Sequence, residues 1–395
     1  MSVLWRYQKK TALRHLQKHP RDFYLIYDSL RDDRDVVLKA VKGDGLNLRY
    51  ASERLRDDDE IVLKAVNSNP GAIRHASDRL RNDKDFILKV VEKGAPVAFR
   101  FNGVPEYFRD DRDVMLKAVK GNGIALMDAS DRLKDDWIIV MEAVKQTPIS
   151  FQDASERLRD DEFIVLEAIE GDPFNLQYAS ERLIDNEEIV LKAVKSMGDA
   201  LAYASNRLKN DKYVVLEAVK NYSAALQFAS EQLRDDADVA LEAAKEGRGC
   251  GFKYASERLR DNEDVVLKAV TYDAMSSRFA SDRLKDDRDF AFDLISKSPF
   301  SLRHLSERLQ KDEGIVGFAD LCVKVWEAKL LYNVLHPEAS EEKRALREKW
   351  EQEVIDNYLK KAKAKFKSKY YSKEASAETD EQEFDFEEDE PKILN

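Results

Sequence analysis

The chain predicts an all-α fold: an α-solenoid of about twelve 25-residue, two-helix repeats, closed at each end by capping helices. A phrase recurs at a fixed interval, and the apolar residues within each interval keep helical rather than alternating spacing. One copy reads Ala51-Ser52-Glu53-Arg54-Leu55-Arg56-Asp57-Asp58; others run from Ala154 to Asp161 and from Ala179 to Asn186. Its anchor is Leu30, Leu55, Leu80, Phe108, Leu133, Leu158, Leu183, Leu208, Leu233, Leu259, Leu284 and Leu309. The step is 25 residues except for 28 before Phe108 and 26 before Leu259.

Residues 1–29 read as an N-terminal cap, with a helix over Ser2 to Lys18 carrying Leu4, Trp5, Ala12, Leu13 and Leu16 and ended by His19-Pro20. The array follows over 30–312. In a typical repeat, Asp57-Asp58 stands before Ile61-Val62-Leu63-Lys64-Ala65-Val66, where a carboxylate accepts from free helix N–H groups and complements the dipole. Pro70 and Gly71 end that helix. Ile73, Ala76 and Leu80 then form one face of a second helix of about 9–11 residues. Helices this short are unstable alone in water, and a lone repeat buries too little to offset the entropy of ordering it, so stacking must supply the rest.

The region 92–108 breaks the rhythm, with Gly94, Pro96, Gly103 and Pro105 around the inserted residues, and a local bend is expected there. Residues 313–337 read as a capping helix bearing Phe318, Leu321, Cys322, Val325 and Trp326, stopped at Pro337. Residues 338–373 read as a long amphipathic helix with Leu346, Trp350, Val354, Tyr358, Ala362, Phe366 and Tyr370 at every fourth position. The final stretch, 374–395, has ten acids against one lysine and no apolar pattern, and is expected to be disordered.

The net charge of −11 combines about −9 in this tail with about +7 from the lysines of 359–373, which leaves the rest mildly acidic at about −9. That argues against a nucleic-acid groove along the array. Two cysteines cannot make a disulfide framework and suit a reducing compartment, the cytoplasm first, with an organellar matrix or the nucleus as alternatives. The first residues show no signal-peptide core, and no apolar run approaches the roughly 20 residues that span a bilayer.

The recurring phrase, Ala-Ser-x-Arg-Leu, then Arg or Lys, Asp or Asn, and Asp, followed by a Val-Leu-Lys-Ala-Val-like helix, resembles the repeats of the family called domain of unknown function 4116. The resemblance covers about residues 24–312 and departs at Val104-Pro105-Glu106-Tyr107-Phe108. It implies a short-helix repeat and no known activity.

Each side-chain group with a chemical reading also has a structural one. The Asp clusters lack the donor spacing of a calcium loop and read as helix N-caps. Arg54, Arg79, Arg132, Arg157, Arg182, Arg207, Arg258, Arg283 and Arg308, with Gln232 the exception, read as a ladder, each Arg paired with an Asp of its own or an adjacent turn. Gly43-Asp44-Gly45 and Gly121-Asn122-Gly123 lack the context of a phosphate loop and read as helix ends. Tyr50, Tyr178, Tyr203, Phe228, Tyr254 and Phe279 read as packing between layers. The five histidines are scattered with no catalytic or metal-binding grouping, so no enzyme and no cofactor is expected. The position after the first-helix leucine changes sign along the chain, from Lys39 and Lys64 to Glu142, Glu217 and Asp293, and is expected to face solvent.

These readings predict a non-catalytic protein-interaction scaffold or adaptor, or a structural subunit of a larger assembly. It would bind protein partners along the array and through Trp350, Val354, Tyr358, Phe366, Tyr370, Phe384 and Phe386. The alternative is nucleic-acid or anionic-membrane binding through Lys360, Lys361, Lys363, Lys365, Lys367 and Lys369.

Overall fold

A computed structural model of the chain describes residues 6, 8–92, 104–245, 251–335 and 356–368. Among the described residues the regular structure is entirely helical. The protein is an all-α solenoid, as its periodicity predicts.

The repeat around Asp58 shows why these residues fold this way. Asp58 caps Asp59–Ser68, its carboxylate accepting from the Ile61 N–H at 3.0 Å. Ile61, Val62, Ala65 and Val66 form the buried face of that helix. Asn69 then accepts from the Gly71 N–H at 2.9 Å, and Pro70, whose missing donor costs nothing at a helix start, begins a 3-10 helix over Pro70–His75. Ala76 is extended, and a single α-turn, Asp78–Arg81, closes the repeat.

The second half is therefore not the continuous helix of 9–11 residues that its spacing predicts. Ile73, Ala76 and Leu80 are all buried, but they lie on three successive pieces of backbone. Ser77 makes the break. Its N–H donates to the Arg56 carbonyl of the preceding repeat at 2.9 Å instead of to its own helix. Its hydroxyl accepts from the Leu80 N–H at 3.2 Å and donates to Asp57. A serine that competes for backbone partners thus turns a helical bond within the repeat into a bond between repeats. The same N–H bond recurs from Ser52, Ser130, Ser155, Ser180, Ser205, Ser230, Ser256, Ser281 and Ser306.

The chain divides into two compact bodies, Met1–Ala193 with Tyr203–Ser205, and Val194–Ala202 with Asn206–Asn395. In the first, Lys9–Lys18, Pro20–Leu25 and Asp28–Arg31 repeat the same helix, 3-10 and single-turn order. The N-terminal segment is thus a repeat in form, and Lys9 pairs with Asp33 at 2.9 Å and Asp35 at 2.6 Å in the next layer. Gly45 and Gly123 are required by close approach: a Cβ on either would lie 2.1 Å from the Ala65 carbonyl oxygen or 2.2 Å from that of Ala143. In the second body, Glu313–Leu335 buries Ile315, Phe318, Ala319, Leu321 and Cys322, and a helix over 356–368 lies against it. Most of the region expected to bend, most of the 338–373 helix and the acidic tail fall outside the described residues.

Candidate interaction surfaces

The most regular polar structure is a clamp between adjacent repeats. At the Leu133–Leu158 junction, Arg157 Nε donates to both Asp135 carboxylate oxygens at 2.9 and 3.1 Å, and a second guanidinium nitrogen donates to the Asp135 carbonyl at 2.7 Å. Ser155 donates to the same carboxylate. The Ser155 hydroxyl, then Arg157, holds the Asp135 carboxyl below its ordinary value against slight desolvation. Equivalent clamps join Arg54 to Asp32, Arg79 to Asp57, Arg132 to Asp110, Arg182 to Asp160, Arg258 to Asp235, Arg283 to Asp261 and Arg308 to Asp286. The arginine ladder is thus an inter-repeat device, and the two aspartates of each pair divide the labour. The second caps the next helix, as expected; the first, expected to do the same, instead receives the serine and arginine of the following repeat.

Two surfaces lie outside this clamp. One is the seat of the 356–368 helix. Leu359 and Phe366 are buried, with Phe366 edge-on to Phe318 at a centroid separation of 5.8 Å, and Phe318 meets Phe292 at 5.2 Å. Tyr358 and Ala362 pack partly buried against the same core. Lys363 pairs with Asp293 and Lys367 with Asp289, the two acids flanking Phe292 on one helix face. Phe292 is fully buried here, whereas the equivalent Leu63, Leu166 and Leu216 remain partly exposed.

Of the residues expected to meet a partner, Tyr358 and Phe366 thus contact the chain itself, as do Lys363 and Lys367 among those expected to bind anions. Lys360, Lys361 and Lys365 are exposed. Trp350, Val354, Tyr370, Phe384, Phe386 and Lys369 lie outside the described residues. Leu359 was missed because it falls beside the every-fourth-residue stripe rather than on it. The sign-changing position is exposed or half-exposed along the array, as at Lys64 and Glu167.

The other surface is apolar and sits at the start of the first helix. The second residue of that helix is acidic in most repeats: Asp35, Glu60, Asp85, Asp113, Asp238, Asp264 and Asp289. In two consecutive repeats of the first body it is Ile138, 47% exposed, and Phe163, 73% exposed; Trp137 beside Ile138 is 42% exposed. The exchange alters the charge pattern too. Lys84 reaches both Asp111 and Asp113, at 2.9 and 2.8 Å, whereas Arg112 reaches Asp136 alone, at 2.7 Å. The signal was present in the sequence as an acidic column interrupted by large apolar residues.

Cys322 is buried, and burial pushes its thiol up to about 12. Among the described residues no His, Cys, Asp and Glu cluster is arranged to hold a metal ion, and no helix is long and apolar enough to cross a membrane.

The fold and its clamp define a helical-repeat protein. The family model described as a domain of unknown function (DUF4116) matches residues 9–56, 58–101, 83–131, 111–159, 161–209, 211–260, 247–285 and 262–310. The chain belongs to that repeat family. Matches such as 111–159 and 161–209 each contain two anchors and so span two of the 25-residue repeats. No curated protein and no solved structure matches the chain.

Proposed function

We propose that the protein is a non-catalytic scaffold that binds a protein partner at the exposed starts of its first helices, with Trp137, Ile138 and Phe163 as the anchor. The observation that supports this is the placement of three large apolar side chains in solvent at positions the fold does not need to be apolar. Equivalent repeats carry Glu60 or Asp113 there and keep the same helix, so stability does not select the aromatic and aliphatic residues. Side chains of this kind form the desolvated centres of protein interfaces. The C-terminal helix is a weaker candidate, because Phe366, Lys363 and Lys367 are engaged within the chain.

The test restores the acids of the other repeats. An Ile138→Asp, Phe163→Glu variant is expected to keep its helical circular-dichroism spectrum and melting temperature, as surface changes here fall within about 0.5 kcal/mol. Purified from its native source beside the wild-type protein, it is expected to lose at least one stoichiometric partner. Survival of every co-purifying protein at wild-type yield rejects this surface as the interface.

A further inference from the structure

The second body shows what one face of a first helix can hold. The helix over 356–368 lies across two neighbouring first helices, Arg288–Lys297 and Glu313–Leu335. Lys363 pairs with Asp293, nine residues after its anchor, and Lys367 with Asp289, five after it. Phe366 meets Phe318 of the next helix. This seat departs from the other repeats at two places. Gly317 stands where Leu63 and Leu166 stand elsewhere, and a Cβ there would already lie 3.2 Å from the Phe366 ring, so leucine would block it. Phe318 stands in the column that is otherwise charged, from Lys39 to Asp293. The seated helix runs opposite to the first helix, because the step forward from Lys363 to Lys367 matches the step back from Asp293 to Asp289.

The first body carries acids on the same face without such lysines. Helices Trp137–Gln146 and Glu162–Gly171 lie side by side, as do the two helices of the C-terminal seat. Nine residues after their anchors stand Glu142 and Glu167; five after them stand Ile138 and Phe163, one turn away on the same helix face. Every other acid of the Glu142 column has a lysine: Glu217 has Lys220 at 2.9 Å, Glu242 has Lys245 at 2.7 Å, and Asp293 has Lys363. Glu142 and Glu167 have none among the described residues, although Lys145 follows Glu142 by three residues as Lys220 follows Glu217. Exposed apolar side chains and carboxylates left without a cation thus coincide in these two repeats and in no other among the described residues.

We propose that this face of the first body seats a basic amphipathic helix of the partner protein, laid across the two first helices as 356–368 is laid across its own pair. The inference rests on the scaffold reading above and names the partner's chemistry. The seat in the second body supplies the pattern: a cation opposite Glu142 or Glu167, and a large apolar residue four positions later opposite Ile138 or Phe163. Charge complementarity favours such a segment and opposes an acidic one. The chain's own helix is not the matched ligand, because Lys367 would exchange Asp289 for a hydrocarbon side chain.

The probe is a labelled, end-blocked peptide of residues 356–368 carrying Lys367→Leu, which sets an apolar side chain four residues after Lys363. Its fluorescence anisotropy is titrated with the full chain at low salt, and saturable binding is expected. Glu142→Lys with Glu167→Lys is expected to weaken binding at least about ten-fold, and Ile138→Asp with Phe163→Glu to do the same. Lys64 and Lys117 occupy the glutamate places in folded repeats, so the charge reversal leaves the helices intact. A peptide with every lysine changed to glutamate is expected not to bind. Absence of saturable binding by the basic peptide overturns the proposal. So does equal affinity for the two peptides, or binding that the Glu142→Lys, Glu167→Lys variant retains in full. Co-purification judges the scaffold reading separately. If Ile138→Asp with Phe163→Glu loses the native partners while the charge-reversed variant still holds the peptide, the interface stands and the basic helix falls; if every partner survives Ile138→Asp with Phe163→Glu, the interface itself falls.

Discussion

Two junctions of the first body join equivalent layers by different bonds. Between the Leu133 and Leu158 repeats, Ser155 donates its N–H to the Lys134 carbonyl at 2.9 Å, caps Leu158 at 3.2 Å and shares Asp135 with Arg157. Between the Leu80 and Phe108 repeats, Pro105 stands in the serine place, with no N–H and no hydroxyl to give, and the single α-turn becomes a 3-10 turn, Glu106–Asp110, without a side-chain cap. The acid has become Asn82 and the arginine Tyr107, whose hydroxyl bonds the Asn82 side-chain oxygen at 2.9 Å.

The second body shows the same coupling more mildly: Asn210 faces a repeat whose ladder position is Gln232, while Ser230 still donates its N–H to the Lys209 carbonyl. At both places the acid and the arginine disappear together. After the last anchor, where no further repeat follows, the acid's place is taken by Lys311. An aspartate is kept only where an arginine in the next layer receives it. The clamp is thus a pairing rule between layers, and the backbone bond from serine is separable from it.

Acid should abolish the distinction on the largest scale. Hydrogen bonds from serine and then arginine lower the carboxyls of Asp57, Asp110, Asp135, Asp160, Asp235, Asp261 and Asp286 below the ordinary 3.8. A group depressed in the folded state adds stability above its unfolded value, and that stability is lost as the pH falls through the folded value. Chemical denaturation is therefore expected to show a plateau above about pH 5 and a steep fall below about pH 4. Stability unchanged down to pH 3 would show that the clamps contribute nothing.

Importing the irregular junction into a regular one comes next. At Ser155 φ is −60°, and Ala154 has φ −67° and ψ 154°, so the torsions suit proline, but in Ser155→Pro the ring Cδ replaces the N–H that meets the Lys134 carbonyl oxygen at 2.9 Å, and that contact must open. The loss combines the missing N–H bond, cap and aspartate contact with the opening of that contact, at least about 1.5–3 kcal/mol in denaturant. A cost below about 0.5 kcal/mol would mean that the inter-repeat serine bond is dispensable everywhere.

The smallest effect belongs to the charge pair alone. Arg157 is 63% exposed, so Arg157→Gln is expected to cost less than about 1 kcal/mol, and less still at high salt. Asn210→Asp and Gln232→Arg together should exceed the sum of the single changes, because either alone leaves a charge without its counterpart. Strict additivity would break the pairing rule.

Periodicity made the repeat, its buried anchors and the existence of an arginine–aspartate ladder legible, because each residue recurs in register and core positions tolerate little exchange. The chain alone left undecided which aspartate caps and which clamps, since both stand side by side before the helix and only the next layer separates their tasks. It suggested one continuous second helix because Ile73, Ala76 and Leu80 have helical spacing; the break at Ser77 appears only once the Arg56 carbonyl of the preceding repeat competes for its N–H.

The candidate surfaces divide the same way. The C-terminal helix presents its stripe equally to a stranger or to its own chain, and amphipathicity carries no address. Phe318, Phe292, Asp289 and Asp293 supply that address by converging from two helices far apart in sequence from Phe366, Lys363 and Lys367. Spacing along the chain determined what each repeat buries, whereas contact between layers decided which leftover charges and rings face solvent, because those partners are set by stacking and not by neighbourhood in sequence.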